Sequence, residues 1–329
     1  MSEQGKEVFL TGGSGFVGSH VLSTLLAAGF RVRSLVRRGS RPHPRRDGCR
    51  LVSGDLRRTG EISRQMVGCR YLVHVAAVYS FSPGSRRDMY RTNVHGCAGI
   101  LEAARIAGIE RAVVTSSSAT VGPMRGNHVA TENDWAQEMG STSAYHRSKV
   151  QQERVSLAAR LPVVLVLPTA PVGPGDSGPT PTGKMVVDFM RGRIFASLDG
   201  GLNVVPVEDV GRAHLLALEH GRPGERYLVG GENISLTGLW EALAGICHRP
   251  APTRILPYAA AVTIGWADEI RCQFRRGAQP VAPLEGVRMV REKMYVCDGK
   301  ARSELGYVST SVTDALERAV RWYRDHGYA

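Results

Sequence analysis

The six cysteines of this 329-residue chain, Cys49, Cys69, Cys97, Cys247, Cys272 and Cys297, form no CxxC pair and have no His cluster beside them. A disulfide framework and a zinc centre are thereby excluded, and reduced thiols without a metal are the expectation. Lysine is scarce among the 42 basic residues: only positions 6, 149, 184, 293 and 300 carry it, and the rest are arginine. Long apolar runs are missing too. A membrane-spanning helix needs roughly 18 to 20 such residues, whereas the longest candidate, residues 255–266, is closed by Asp268 and Glu269. The opening MSEQGKE has no apolar segment, which argues against a signal peptide and makes the cytoplasm the default location.

With those classes set aside, 329 residues at 43% hydrophobic content suffice for a generous core and about two domains. The formal charge of +12 is spread along the whole chain, a compositional arginine bias and not a nucleic-acid patch. One local cluster needs a reason of its own: Arg31, Arg33, Arg37, Arg38, Arg41, Arg45 and Arg46.

That reason begins upstream, in residues 8–18, VFLTGGSGFVG, where an apolar run breaks into Gly12, Gly15 and Gly18. Phe16, Val17, Val21, Leu22, Leu25 and Leu26 then follow a helical period, so the stretch reads as strand, tight turn and helix. Residues without Cβ let backbone N–H groups approach a pyrophosphate, and the helix aims its positive end at the same point. A dinucleotide is the natural ligand.

Residues 31–36, RVRSLV, read as the second strand, whose end faces the adenosine ribose in such folds. An acidic residue there would select NAD. The strand ends instead in Val36, Arg37 and Arg38, which suit a 2′-phosphate, so NADP(H) is preferred and NAD(H) is the second choice. A third short strand, residues 51–55, places Asp55 either to contact adenine or to cap the next helix. Residues 71–78, YLVHVAAV, form a continuous apolar run, as in a parallel strand buried on both faces. Ala76 and Ala77 at its end are small enough for a cofactor to cross. A helix then holds Asn93, and a strand over residues 111–115 runs into Ser116, Ser117 and Ser118, where open α/β sheets place their chemistry.

Tyr145 and Lys149, in SAYHRSKVQQE, are four residues apart and share a helix face. A free phenol titrates near pH 10, and an adjacent ammonium favours the phenolate, which turns Tyr145 into a usable acid or base. In a chain that otherwise uses arginine, a lysine at this position is telling.

Residues 162–167 give another buried strand, and the proline- and glycine-rich stretch to Gly183 reads as a loop with a domain boundary near Pro171. Residues 201–207 read as a strand and 210–219 as a helix returning to the first domain. Residues 255–266 form an apolar helix that packs on the second domain, with walling of an apolar pocket or contact with a membrane surface as alternatives. An amphipathic helix over residues 314–323 closes the chain.

TGGSGFVG, GDL, HVAAV, TSSSAT and YHRSK, in this order and spacing, resemble the extended short-chain dehydrogenase/reductase family over nearly the whole chain. PTAPVGPGDSGPTPTGKM, GLNVVPVEDVGRAHLLALEHG and GERYLVGGENIS are similar to the hopanoid-associated sugar epimerase subgroup, with dihydroflavonol-reductase-like and 3β-hydroxysteroid-dehydrogenase-like enzymes nearby. The resemblance implies an α/β fold: a doubly wound parallel-sheet (Rossmann) domain and a smaller α/β C-terminal substrate domain. Residues 1–170 are assigned to the first, with 201–230 returning to it, and 171–200 and 231–329 mainly to the second. It implies Tyr145 as catalytic acid/base, Lys149 as the group that orients the nicotinamide ribose and lowers the Tyr145 pKa, and Ser117 as hydrogen-bond donor to the reacting oxygen, with Ser116 or Ser118 as fallback. The implied cofactor contacts are Gly12, Ser14, Gly15, Phe16, Val17, Gly18, Arg37, Asp55, Leu56, Ala76, Ala77, Val78, Asn93, Tyr145, Lys149, Pro168, Thr169, Ala170 and Val172.

Leu167 stands where sugar-nucleotide epimerases often have Asn, which weakens a nucleotide-sugar substrate, and the apolar stretch after Pro257 suits a greasy ring system. The expectation is therefore an NADP(H)-linked oxidoreductase acting on a carbonyl or secondary alcohol of an apolar cyclic substrate. A sugar epimerase or dehydratase is the alternative, and a non-catalytic NADP-binding regulator is the alternative of another class. No nucleic-acid partner is expected, and a homodimer is a family expectation.

Overall fold

The computed structural model describes residues 6–37, 47–79, 86–122, 126, 128–136, 143–274, 284, 286–287 and 293–329. Arg38, Arg41, Arg45 and Arg46 of the basic cluster, and the side chain of Cys272, lie outside the described residues.

Seven strands make the main sheet: β1 (Glu7–Thr11), β2 (Arg31–Val36), β3 (Cys49–Ser53), β4 (Tyr71–His74), β5 (Arg111–Thr115), β6 (Val163–Pro168) and β10 (Arg226–Val229). Their spatial order is 10-6-5-4-1-2-3 and every neighbouring pair is parallel. Strand order reverses between β1 and β4, the switch point where a doubly wound sheet opens a crevice at the carboxyl ends of its strands. This is the Rossmann arrangement that the glycine turn and the run of short apolar segments led us to expect. Strand β6 is apolar throughout, as fits a parallel strand with helices over both faces; Val163, Val164, Leu165, Val166 and Leu167 are all buried.

One face carries α1 (Phe16–Ala27) and α7 (Val207–His220), which cross closely at Gly211, where a Cβ would lie 2.9 Å from Thr24 Oγ1 and 3.0 Å from the His20 carbonyl oxygen. The other face carries α2 (Thr59–Met66), the run α3 (Arg86–Tyr90), a π turn (Arg91–Gly96) and α4 (Cys97–Ile106), and then α5 (Ala144–Leu157).

A second core is built on the three-stranded sheet β11-β9-β7, made of β7 (Ala170–Val172), β9 (Gly201–Pro206) and β11 (Glu232–Ser235). Against it pack α6 (Pro181–Met190), α8 (Leu236–Cys247) and α11 (Val312–Asp325). In α11, Val312, Ala315, Leu316, Ala319, Val320 and Tyr323 are buried at helical spacing, and the Ser311 hydroxyl caps the first turn by accepting the Asp314 N–H. A short helix, α10 (Gly299–Leu305), joins α7 and β10 beside the main sheet.

Several boundaries differ from the sequence reading. Of residues 201–230, α7 and β10 return to the large sheet, but β9 does not: it pairs with β7 and β11, with Leu202 and Val204 in the smaller core and Val205 packed in the core of the large sheet. The stretch read as loop to Gly183 contains the start of α6. Thr180 caps that helix and Pro181 takes its first position, where no backbone donor is needed. Pairing of the fourth strand stops at His74, four residues short of Val78. The apolar segment at 255 begins as a strand, β12 (Ile255–Leu256), paired with β8 (Ser197–Leu198). Pro257 disfavours helix at Leu256, and α9 (Tyr258–Phe274) starts only after it. One side of α9 is packed, with Ala261 at 5% exposure, while Trp266 stands 61% exposed. Among the described residues no helix is long and apolar enough to cross a membrane.

Candidate active site

The turn after β1 is shaped by close backbone contacts. Gly12 has φ +77°, and a Cβ there would fall 2.6 Å from the Ala76 nitrogen, so the turn rests directly on the segment leaving β4. The Gly15 N–H closes the turn on the Gly12 carbonyl at 2.9 Å. At Gly18, a Cβ would stand 1.9 Å from the Gly12 oxygen, which is why the first helical turn accepts no side chain at that point. The N-cap residue Gly15 offers no side-chain acceptor, and the first turn holds no acidic residue. The opening N–H groups of α1, including those of Phe16 and Val17, therefore have no intrahelical partner. Ser14 and Gly15 are exposed beside them. An uncapped helix end behind a glycine turn fits the pyrophosphate of a nicotinamide dinucleotide.

Arg37 is exposed at the end of β2. Arg33 belongs to the fold: its guanidinium pairs with Glu7 at 2.7 Å and donates to the Val67 carbonyl at 3.0 Å. Asp55 does not cap α2, whose N-cap is Arg58; its carboxylate receives the Arg57 backbone N–H at 3.0 Å and the Arg57 guanidinium, which holds it down at about 2. Leu56 lies over α4, its carbonyl 3.0 Å from where a Cβ on Gly99 would be.

Beyond β4 the chain is held by side chains. The Thr11 hydroxyl accepts the Ala76 N–H at 3.3 Å and lies 2.7 Å from His74 Nδ1. Ala77 is exposed next to it. Asn93, fully buried in the π turn, accepts the Val78 N–H at 2.8 Å and donates to the Val78 carbonyl at 3.0 Å and to Ser148 Oγ at 3.1 Å. Its amide is spent on the protein, so Asn93 fixes Val78 and α5 relative to each other.

α5 begins at Ser143, whose hydroxyl accepts the His146 N–H at 3.1 Å. Tyr145 and Lys149 follow on its inner face, 8% and 2% exposed. The phenol packs with Val78, Met89, Ala119 and Ala144, and the Tyr79 ring lies over it at 4.1 Å. Of the three serines after β5, Ser116 donates to Glu153, which also accepts Thr120 Oγ1 at 2.6 Å and pairs with Arg226 at 2.8 Å. Ser117 is the one that acts on the Tyr145 phenol, favouring its ionised form, and its hydroxyl accepts the Ala119 N–H at 3.2 Å. The chain continues through Pro168, paired with Val229, and Thr169, whose N–H donates to the Val229 carbonyl at 3.1 Å. Ala170 and Val172 then enter the smaller sheet, so residues 168–172 cross from one core to the other.

The electrostatics correct one expectation. Burial pushes the Tyr145 phenol up to about 12, with only Ser117 opposing, so these residues do not lower its pKa. Lys149 points elsewhere, donating to the Thr115 carbonyl at 3.1 Å and to Gln152 Oε1 at 2.8 Å, and burial pushes it down to about 8.

The sequence reading missed His74, Tyr79, Gln152, Glu153 and Arg226. A histidine inside a buried run, and Glu153 on the Tyr145–Lys149 stripe, were visible signals. Arg226 left none, because it reaches Glu153 only through the pairing of β10 with β6.

Residues 8–230 match the model of the NAD dependent epimerase/dehydratase family. The chain belongs to that family. Among its relatives within and around the epimerase/dehydratase family is a Synechocystis sp. protein with a provisional dihydroflavonol 4-reductase name, 40% identical over 97% of this chain and 95% of its own length. Sterol demethylase protein B of Methylococcus capsulatus is 32% identical over 97% of this chain and 98% of its own. The solved structure of gox2253 superposes with a TM-score of 0.85 at 34% identity, covering 98% of this chain and 99% of that one. The epimerase/dehydratase protein is thus an oxidoreductase of the extended short-chain dehydrogenase/reductase type, as the motifs implied.

Proposed function

We propose that the protein transfers hydride to or from the carbonyl or secondary alcohol carbon of an apolar cyclic compound of isoprenoid, steroid-like or aromatic type. The observation that carries this reading is the setting of Tyr145: a buried phenol packed among Val78, Tyr79, Met89, Ala119 and Ala144, with Ser117 the serine that acts on it, beside the sheet whose first strand runs into the glycine turn. Two relatives whose names contain dihydroflavonol and sterol, both fused-ring compounds, support the substrate class.

A nicotinamide dinucleotide, when bound, supplies or accepts the hydride. Gly12, Ser14, Gly15, Phe16, Val17 and Gly18 would hold its diphosphate, Asp55 and Leu56 its adenine, and Ala76, Ala77, Val78, Lys149 and residues 168–172 its nicotinamide half. Arg37, with no carboxylate in the last residues of β2, favours a 2′-phosphate and hence NADP(H). In the reducing direction the Tyr145 phenol gives its proton to the carbonyl oxygen while the Ser117 hydroxyl stabilises the charge developing there. In the oxidising direction the Tyr145 phenolate takes the alcohol's proton. We assign cofactor binding to residues 1–170 with α7 and β10, and substrate binding mainly to 171–200 and 231–329.

The test is absorbance at the reduced-nicotinamide band with NADPH and NADH against sterol-type and flavonoid-type ketones, quinones and sugar nucleotides. Consumption of NADPH with a fused-ring ketone is the expected result. Conversion of a sugar nucleotide without net redox change would replace it with the epimerase reading.

A further inference from the structure

Lys149 and Gln152 are three residues apart on the buried face of α5. The Lys149 ammonium donates to Gln152 Oε1 at 2.8 Å and to the Thr115 carbonyl at 3.1 Å, while Gln152 Nε2 donates to the same carbonyl at 3.4 Å. Gln152 is 1% exposed, and its backbone carbonyl accepts the Ser156 hydroxyl at 2.7 Å. The three groups close a ring at the end of β5, two residues before Ser117. From the opposite face of the sheet, Thr115 Oγ1 lies 2.7 Å from His214 Nε2, so Thr115 is pinned on both sides.

We infer that Gln152 is a positioning residue that holds the Lys149 ammonium on the end of β5 through a neutral acceptor and, by offering no countercharge, sets the pH range in which Lys149 is charged. The inference rests on the role proposed above for Lys149 at the nicotinamide half of the cofactor.

A buried ammonium is favoured by opposite charge and disfavoured by loss of water. The groups that face Lys149 are His74 from β4, Cys97 from α4 and Glu153 from its own helix, with Arg226 of β10 behind Glu153. Burial holds His74 down at about 3 and pushes the Cys97 thiol up, so both are neutral across the working range. Glu153 is paired with Arg226 at 2.8 Å and accepts the hydroxyls of Ser116 and Thr120; its carboxylate favours the Lys149 ammonium from a distance and does not touch it. Gln152 thus provides the direct side-chain contact and carries only a dipole. The ammonium consequently titrates within reach of neutral pH, where a carboxylate at residue 152 would have kept it charged.

With five lysines in the chain, carbon-13 labelling at lysine Cε gives a spectrum in which Lys149 is assigned by its loss in Lys149→Arg. The titration midpoint of Lys149 is expected to rise by about one pH unit or more in Gln152→Glu and to fall by about one in Gln152→Leu. The alkaline limb of kcat/KM should move with it. Unmoved midpoints in both variants would overturn the inference and leave Gln152 as packing; if the Leu variant fails to fold, the isosteric Glu variant decides alone. Tyr145→Phe separates the two ideas: turnover surviving in that variant, with Lys149 midpoints that still shift, removes the proton-transfer reading and leaves Gln152 in place.

Discussion

Gly18 meets the Gly12 carbonyl so closely that a Cβ on Gly18 would stand 1.9 Å from its oxygen, whereas at Gly15 the nearest atom, the same oxygen, is 3.3 Å away. The two glycines therefore serve different ends. Gly18→Ala should lower thermal stability together with dinucleotide affinity, because the helix has to move off the turn. Gly15→Ala should leave the melting temperature near that of the wild type and still weaken binding, because the added methyl stands beside the exposed N–H groups. Thermal melts alongside NADPH fluorescence titrations check this, and equal losses in both quantities for both variants would contradict it.

Tyr145→Phe keeps the ring that packs with Met89 and Tyr79 and removes only the hydroxyl. Turnover should fall by roughly 10²- to 10⁴-fold, the usual worth of a positioned acid or base, while NADPH affinity stays within about twofold. Single-turnover kinetics with either cofactor, read beside the binding titration, decide the matter.

Arg226 and Glu153 form an ion pair with side chains 5% and 0% exposed. Removing one partner strands the other charge, so Arg226→Met should cost about 3–5 kcal/mol in urea unfolding. Adding Glu153→Gln to that variant should recover most of the loss, since Ser116 and Thr120 can still bond an amide. A double variant no more stable than the single one would show that the pair's charge is not the issue.

Two buried histidines make stability fall with acid. His214 Nδ1 faces the Val210 carbonyl, which can only accept, so Nε2 is left to accept from Thr115; burial holds this ring down at about 4. His74 is held down at about 3, by burial first and by the nearby Lys149 second. Both pKa values lie below the unfolded value, so the full contribution is present above about pH 6.5 and is lost as pH falls towards the folded values. Each ring should add roughly 1 kcal/mol per pH unit to the slope of unfolding free energy between about pH 6 and pH 4. Urea titrations at stepped pH measure it, and the slope should shrink in His74→Asn.

The glycine turn, the short parallel strands and the Tyr145–Lys149 pair were legible in the chain because each depends on neighbours within a few residues: a tight turn, a strand period, one turn of helix. The start of α6 was masked by the same prolines and glycines that mark loops, although Thr180 and Pro181 are also a helix-opening pair. Likewise, the sequence spacing of Tyr145 and Lys149 pointed to a shared face but carried no information on where the ammonium is drawn.

By itself the sequence determined the sheet type, the nucleotide turn and which residue types meet at the reaction centre, since local sterics and periodicity specify these. The tertiary structure alone decided that Ser116 is spent on Glu153, that Asn93 is spent on Val78, and that Lys149 leans on Gln152 and Thr115. Those choices depend on burial and on partners far apart in the chain, such as Glu153 with Arg226, which only the packed sheet brings within reach.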